Sequence, residues 1–397
     1  MGEGTSRIFP PIAFAKRTEH NPRDFGGKTI EFNDVRLQYE NLSDEINAAI
    51  SGVLASGRYI LGPAVEVFEE EFARYCRSAS GIGVASGTDA LRIALAAVGV
   101  RAGDEVLVPA VSAAATAMAV TQLRATPVFV DISREDFTMD PADAMERKSS
   151  RTKAAIPVHL YGMPARLKEL SALRIPIIED AAQAHGSEAS WGRCGSFGMA
   201  AAFSFYPTKN LGTYGDGGMI VTSNAELART AHLLRNYGQR ENYASEILGD
   251  NSRLDELHAA ILRVKLRRLD SSNKRRREIA ARYRAAFAEM PFAMQKETGT
   301  SNYHLFVLAS AEREALRRHL LSHDIPTAIH YPTPLHRQKA FESLRQSSRT
   351  IQCPNAEQFC ARALSLPMHA HLAAHDVDRV ISAVHSFFSS RRSTLRD

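Results

Sequence analysis

Between positions 80 and 223 short apolar runs alternate with segments whose apolar residues recur at helical spacing, and this alternation limits the chain to few folds. GIGVAS, DEVLVPA, TPVFVDI, AAIPVHL, IPIIED, MAAAFSF and GGMIVTS read as strands. SGTDALRIALAAVGV reads as a turn and an apolar-faced helix, and SAAATAMAVTQL and RLKELSAL read as helices. Strands separated by helices pair as parallel neighbours, with helices on both sheet faces. The expected fold is therefore α/β with a central, mostly parallel sheet. In such folds ligands bind beyond the carboxyl ends of strands.

The flanking regions read differently. Residues 1–30, with Pro10, Pro11, Pro22 and several glycines, read as an irregular extension. Helices are expected over Leu42–Leu54 and Pro63–Tyr75, the second opening on a proline suited to a first helical position. A long helix is expected from Arg253 to Leu269 and another after Asn273. From about residue 266 a strand (NYHLFVLA) and helices near REALRRHLLS and DRVISAVHSFF suggest a second α+β unit. This gives a large domain over 31–265 and a small one over 266–397.

Composition narrows the function. Of the 397 residues, 44% are hydrophobic and 23% charged, as in a soluble globular protein. No apolar run reaches membrane-spanning length and no signal-peptide core is present, so a cytoplasmic protein without a membrane partner is expected. A net charge of +5 is compatible with an anionic ligand. The basic cluster Lys274, Arg275, Arg276 and Arg277 precedes Ile279, Ala280 and Tyr283 and reads as a solvated helix face, so no nucleic-acid partner is expected. Cys76, Cys194, Cys353 and Cys360 form no CxxC pair and read as free thiols. Met1-Gly2 with Ser6 fits a myristoylation pattern too short to carry weight.

The chemistry lies between Ile177 and Gly218. Asp180 ends one apolar run and Lys209 follows another, so both emerge at strand ends. A lysine there can condense with the aldehyde of a pyridine cofactor, and a carboxylate can keep its ring nitrogen protonated. The pair points to pyridoxal 5'-phosphate (PLP). Taken singly, Asp180 as a helix cap and Lys209 as a surface lysine are the simpler readings. Gln183 can donate to the cofactor's ring oxygen. Ser86-Gly87-Thr88, between a strand and a helix, is either an anion site at a helix N-terminus or a plain cap. A dinucleotide fingerprint fails, because serine occupies position 86 after Gly81 and Gly83. His369, His371 and His375 lack the glutamate of HExxH, and no metal is expected.

ILGPAVEVFEEEFA, SGTDALRIAL, GDEVLVPA, EDAAQAHG, FSFYPTKNLGTYGDGG, RNYGQR, NSRLDELHAAIL and IHYPTPLHRQKAF occur in that order. Together, over about residues 31–385, they resemble the DegT/DnrJ/EryC1/StrS family of PLP-dependent sugar aminotransferases, of aspartate-aminotransferase fold. The resemblance implies that Lys209 carries the cofactor and Asp180 pairs with its ring nitrogen. It implies that Gln183 contacts the ring oxygen, and that Gly87, Thr88 and Ser204 hold the phosphate. It further implies a homodimer in which Asn251 reaches the phosphate of the other subunit. L-glutamate is the implied amino donor and a keto-sugar the acceptor. RNYGQR, NSRLDELHAAIL and IHYPTPLH resemble members that aminate the 3-keto position of nucleotide-linked 6-deoxyhexoses, with His330 and Tyr331 lining the sugar pocket. The alternative for that segment is a rigid pre-proline turn. One departure is Ala113, where the family usually carries an aromatic residue against the cofactor ring. Ala113 keeps other outcomes open: amination at the 4-keto position or of an aminocyclitol precursor, or a lysine-dependent elimination. From another class, a catalytically silent ligand-binding regulator is the rival.

Overall fold

A computed structural model describes residues 30–241, 243–342 and 352–394. The expected N-terminal extension up to residue 29, with its myristoylation pattern, lies outside the described residues.

The strands read from the alternating pattern form in order: β1 (Ser80–Val84), β2 (Glu105–Pro109), β3 (Thr126–Val130), β4 (Thr152–Ala155) and β5 (Ile178–Asp180). After a two-residue hairpin, β6 (Glu188–Ala189) with β7 (Gly192–Arg193), come β8 (Ala200–Ser204) and β9 (Gly218–Thr222). One block runs β1-β9-β8-β5 and another β3-β2-β4. Parallel bridges Ala155–Ile177 and Val158–Asp180 join them into a single sheet. All its pairs are parallel except those of β9, antiparallel to both β1 and β8. The residues between Ser204 and Gly218 contain no helix, so the chain turns back on itself there instead of crossing over.

All five residues of β2 are buried, as expected of a strand covered on both faces. Helix Gly87–Ala97 buries Ala90, Leu91, Ile93, Ala94 and Leu95, spaced for one face against the sheet. Helix Ala114–Gln122 follows β2 and places Thr116 inward.

Near residue 260 the structure departs from expectation. The helix foreseen over Arg253–Leu269 spans Glu256–Leu266, and the next begins at Leu269 rather than after Asn273. The break at Arg267–Arg268 contains neither glycine nor proline and is invisible to periodicity. Glu256 accepts from the backbone N–H groups of Gly62 (2.9 Å), Ala64 (2.8 Å) and Val65 (2.8 Å), capping helix Pro63–Tyr75 from a distant segment.

Arg276 also corrects the sequence reading. It lies on the same face as Ile279, Ala280 and Tyr283, all buried, and is itself only 6% exposed. Its Nη1 donates to the carbonyls of Met368 (2.9 Å), Tyr303 (3.2 Å) and His304 (3.4 Å). It therefore belongs to the interior, while Lys274 stays exposed.

Beyond the main sheet, β10 (Gln239–Glu241) and β11 (Ala244–Ser245) form a small hairpin. The strands β12 (Ala293–Met294), β13 (Phe306–Ala309) and β14 (Ala363–Leu366) form an antiparallel sheet. It shares a core with helices Leu269–Ala286, Arg313–Ser322 and Ala374–Thr394, joined by Ile30. Leu335, Phe341 and Phe359 pack instead into the core of the main sheet. Among the described residues no helix is long and apolar enough to cross a membrane.

Candidate active site

The carboxyl ends of β1, β2, β5 and β8 open on one cavity of about 240 Å³. Asp180 is the last residue of β5 and is 5% exposed. Its Oδ2 accepts from Thr116 Oγ1 (2.8 Å) and its Oδ1 from the Ala182 N–H (3.2 Å). Thr116 is in turn 2.7 Å from Ser112 Oγ. Burial raises the Asp180 pKa above the ordinary carboxylate value, opposed by these two donors and by the charge of Lys209. Among the described residues Asp180 makes no salt bridge, Lys209 acting on it only through its charge, so the cavity offers a buried acid with no cation in contact. A protonated pyridine nitrogen is the kind of group that completes such a site.

Lys209 reaches the same cavity from the turn after β8, its N–H donating to Tyr206 O (2.9 Å). Desolvation pulls its ammonium down from 10.5 to about 8, which Asp180 partly offsets. At pH 7 roughly a tenth of its amines is therefore free, against about three in ten thousand for an ordinary lysine.

Ser86 caps helix Gly87–Ala97 through Oγ, which accepts from the Asp89 N–H (3.1 Å). The capping role holds, and the first turn of the helix also lines the cavity with Gly87 and Thr88. A Cβ on Gly87 would lie 2.7 Å from Ser204 Cβ and 3.1 Å from its Cα. Only glycine lets the helix approach the end of β8 this closely, which brings backbone N–H groups and Ser204 Oγ to one spot. That cradle has the donors and the helix-end polarity a phosphate needs. Aldehyde-capturing amine, buried acid and phosphate cradle thus fit PLP.

Gln183 is buried beside Asp180. Its Oε1 accepts from the Tyr161 N–H (2.6 Å) and its Nε2 donates to Tyr331 Oη (3.1 Å). The backbone donor fixes the amide so that its nitrogen faces outward. Neither Tyr331 nor His330 lines the cavity; Tyr331 meets it only through Gln183, and burial raises its phenol to about 12. His330 Nδ1 lies 2.9 Å from Ser365 Oγ, and Tyr161 Oη donates to the His330 carbonyl. Burial lowers the His330 imidazole to about 4, keeping it neutral. Ala113 lines the cavity next to Ala115 and Thr116, with no aromatic ring at that position.

Six of the expected cofactor residues, Gly87, Thr88, Asp180, Gln183, Ser204 and Lys209, thus share one cavity. Asn251 does not line it and is exposed. Among the described residues no cluster of His, Cys, Asp or Glu is arranged to hold a metal. His369 is buried, His371 Nδ1 lies 3.4 Å from Asn41 Nδ2, and His375 faces Asp376 at 3.5 Å. Sequence reasoning missed Ser112, Thr116 and Tyr161. The first two carry a usable signal, hydroxyls four apart where a helix starts beyond a strand end.

Comparison with known proteins agrees with this geometry. The chain is 44% identical over 362 residues to dTDP-3-amino-3,4,6-trideoxy-alpha-D-glucose transaminase of Streptomyces venezuelae, covering 89% of this chain and 95% of that enzyme. The crystal structure of S. venezuelae DesV in complex with a ketimine intermediate superposes with a TM-score of 0.88 at 43% identity, covering 91% and 99% of the two chains. Bacillus subtilis ntda with bound cofactor PMP superposes at 0.85 with 28% identity, over 92% and 86%. Residues 40–385 match the DegT/DnrJ/EryC1/StrS aminotransferase family, and the chain belongs to it.

Proposed function

We propose that this aminotransferase uses PLP to move the amino group of L-glutamate to the 3-keto carbon of a nucleotide-linked 6-deoxyhexose. The observation that carries the reading is the meeting of Lys209, Asp180 and the Gly87 helix end in one cavity. The 3-amino sugar in the name of the S. venezuelae transaminase supports the position aminated. The 31–265 region is then the cofactor-holding lobe, and the 266–397 region supplies His330 and Tyr331 to the sugar pocket. Four buried free thiols suit a reducing, cytoplasmic setting.

The residues divide the work as follows. Gly87 and Thr88 N–H groups and Ser204 Oγ hold the phosphate. Asp180 holds the proton on the ring nitrogen, and Thr116 and the Ala182 N–H favour its ionised form against the effect of burial. When bound, PLP supplies an aldehyde for amine exchange and an electron sink for the carbanion. With the cofactor bound, Lys209 Nζ would be the base placed to take a proton from the donor's α-carbon and, as its conjugate acid, to give it back. Gln183 Nε2 orients the ring through its oxygen. Asn251 completes the phosphate site from a second copy of the chain. Its exposed position outside its own cavity suits that role.

Absorbance spectroscopy tests the reading. The purified protein should show a visible band that L-glutamate converts to a near-ultraviolet one, and Lys209→Ala should abolish both the band and transamination. A Lys209→Ala protein that still transaminates would sink the proposal. A band indifferent to glutamate would favour elimination chemistry, for which Ala113 leaves space over the ring.

A further inference from the structure

Asn210 follows Lys209 directly and is itself only 7% exposed. Its Nδ2 donates to Asn273 Oδ1 (2.9 Å) and to the Asn302 carbonyl (3.1 Å), and its Oδ1 lies 3.2 Å from His304 Nδ1. A carbonyl can only accept, so the Asn302 oxygen fixes which end of the amide is nitrogen. Oδ1 then requires a donor, and His304 must carry its proton on Nδ1. The same logic orients Asn273, whose Nδ2 donates to the His185 carbonyl (2.8 Å) and leaves Oδ1 for Asn210.

The partners are themselves held. The His304 N–H donates to Asn302 Oδ1 (3.0 Å), and Arg276 Nη1 reaches the His304 carbonyl (3.4 Å). Arg276 and Asn273 lie on the same helix, Leu269–Ala286. The bonds therefore close a ring from Asn210 through His304 and Arg276 back to Asn273. Burial also lowers the His304 pKa, so the imidazole stays neutral between Lys209 and Arg276. Neither Asn210, Asn273 nor His304 lines the cavity that holds Asp180 and Lys209.

On its N-terminal side the lysine's turn is weakly anchored. The Lys209 N–H bonds within the turn, to Tyr206, which is 52% exposed. Thr208 is tied through an exposed bond from Asn33 Nδ2 to its carbonyl (3.2 Å). The buried attachments lie on the other side: Asn210 first, then Leu211 in the core and Gly212, whose carbonyl accepts from Lys265 Nζ (2.7 Å). We propose that Asn210, clamped by Asn273, Asn302 and His304, is the positioning residue for Lys209. It fixes the backbone from which the lysine amine enters the cavity and ties that backbone to helix Leu269–Ala286 and to the segment leading into β13. The assignment rests on Lys209 being the residue that carries the cofactor.

The test is covalent trapping by the full-length chain. The protein is incubated with graded PLP, reduced with borohydride to convert the lysine–cofactor link to a secondary amine, and weighed by intact mass. Thermal melting is measured on the same samples. Asn210→Ala and His304→Leu should need about tenfold more PLP for half-maximal trapping, the scale of one lost buried hydrogen bond. His304→Asn, whose amide nitrogen can replace Nδ1, should recover most of the loss. Ser187→Ala removes a more distant member of the buried polar web, which bonds Gly162 O and the Asn302 N–H. It should trap like wild type even where it melts lower. Asn210→Ala and His304→Leu proteins that trap like wild type, with only melting lowered, would overturn the assignment. Should one of them fail to fold, the other decides. Wild type that gains no mass, or Lys209→Ala that does, would instead overturn the reading of Lys209 and the assignment with it.

Discussion

The pairing of an amine and an acid at this site is set by desolvation more than by contact. Asp180 and Lys209 share a cavity, yet each is shifted by burial toward its neutral form, the acid upward and the amine downward. For Lys209 the consequence can be measured. Its ammonium titrates near 8 in the folded chain against 10.5 for an ordinary lysine. Between these values the unfolded chain binds more protons, so stability rises with pH across that window. Below 8 both states are protonated and the penalty for burying the charge is complete. In the cofactor-free protein, Lys209→Met should therefore melt higher than wild type at pH 7. The gap should close as pH climbs through 8 toward 10.5, read by melting the two proteins side by side. A gap independent of pH would mean that the amine is not held out of water. The positions of Asp180 at the end of β5 and of Lys209 in the turn beyond β8 were legible in the sequence, because an apolar run followed by a charged residue is a local pattern. The bond from Thr116 to Asp180 and the clamp on Asn210 were not, since those partners lie 64 and 63 to 94 residues away.

At the level of elements, the site depends on how closely helix Gly87–Ala97 meets β8. Gly87 has no positive φ, so glycine is needed there for proximity and not for backbone conformation. In Gly87→Ala the new methyl would sit 2.7 Å from Ser204 Cβ, and the helix must retreat from the strand. Overpacking of this kind costs about 1–3 kcal/mol. The cost should appear in the affinity for PLP, while pyridoxal without its phosphate loses much less. Equilibrium dialysis with the two ligands separates the cases, and an equal loss for both would remove the phosphate from this cradle. Periodicity located this helix and its buried face, but it does not encode strand direction or long-range capping. The reversal of β9 follows from a connection lacking a helix, and the break before Leu269 occurs without glycine or proline. Arg276 shows the same limit: a basic run reads as solvated until helix packing places one member among carbonyls.

For the whole molecule, the question is whether one chain makes a complete site. The sheet gathers six of the expected cofactor residues in one cavity, and Gln183 connects it to Tyr331 of the C-terminal region. Asn251 stays outside, following a hairpin whose Tyr243 is 95% exposed and a loop whose Leu248 is 97% exposed. Large apolar side chains left in water at such a projection suit burial against a second copy. Mixed subunits test this directly. Lys209→Ala lacks the amine but retains Asn251, whereas Asn251→Ala retains the amine but has a weakened phosphate site. In a two-fold dimer that shares its sites, a mixed pair has one site damaged twice and one fully wild type. Random reassortment should then restore roughly a quarter of wild-type activity at limiting PLP, set by the two-fold symmetry. If Asn251 served its own chain, every amine-bearing site would still lack it, and mixing would restore nothing. The recovered activity should also disappear on dilution below the dimer's dissociation constant, because the restored site exists only while two different chains are joined.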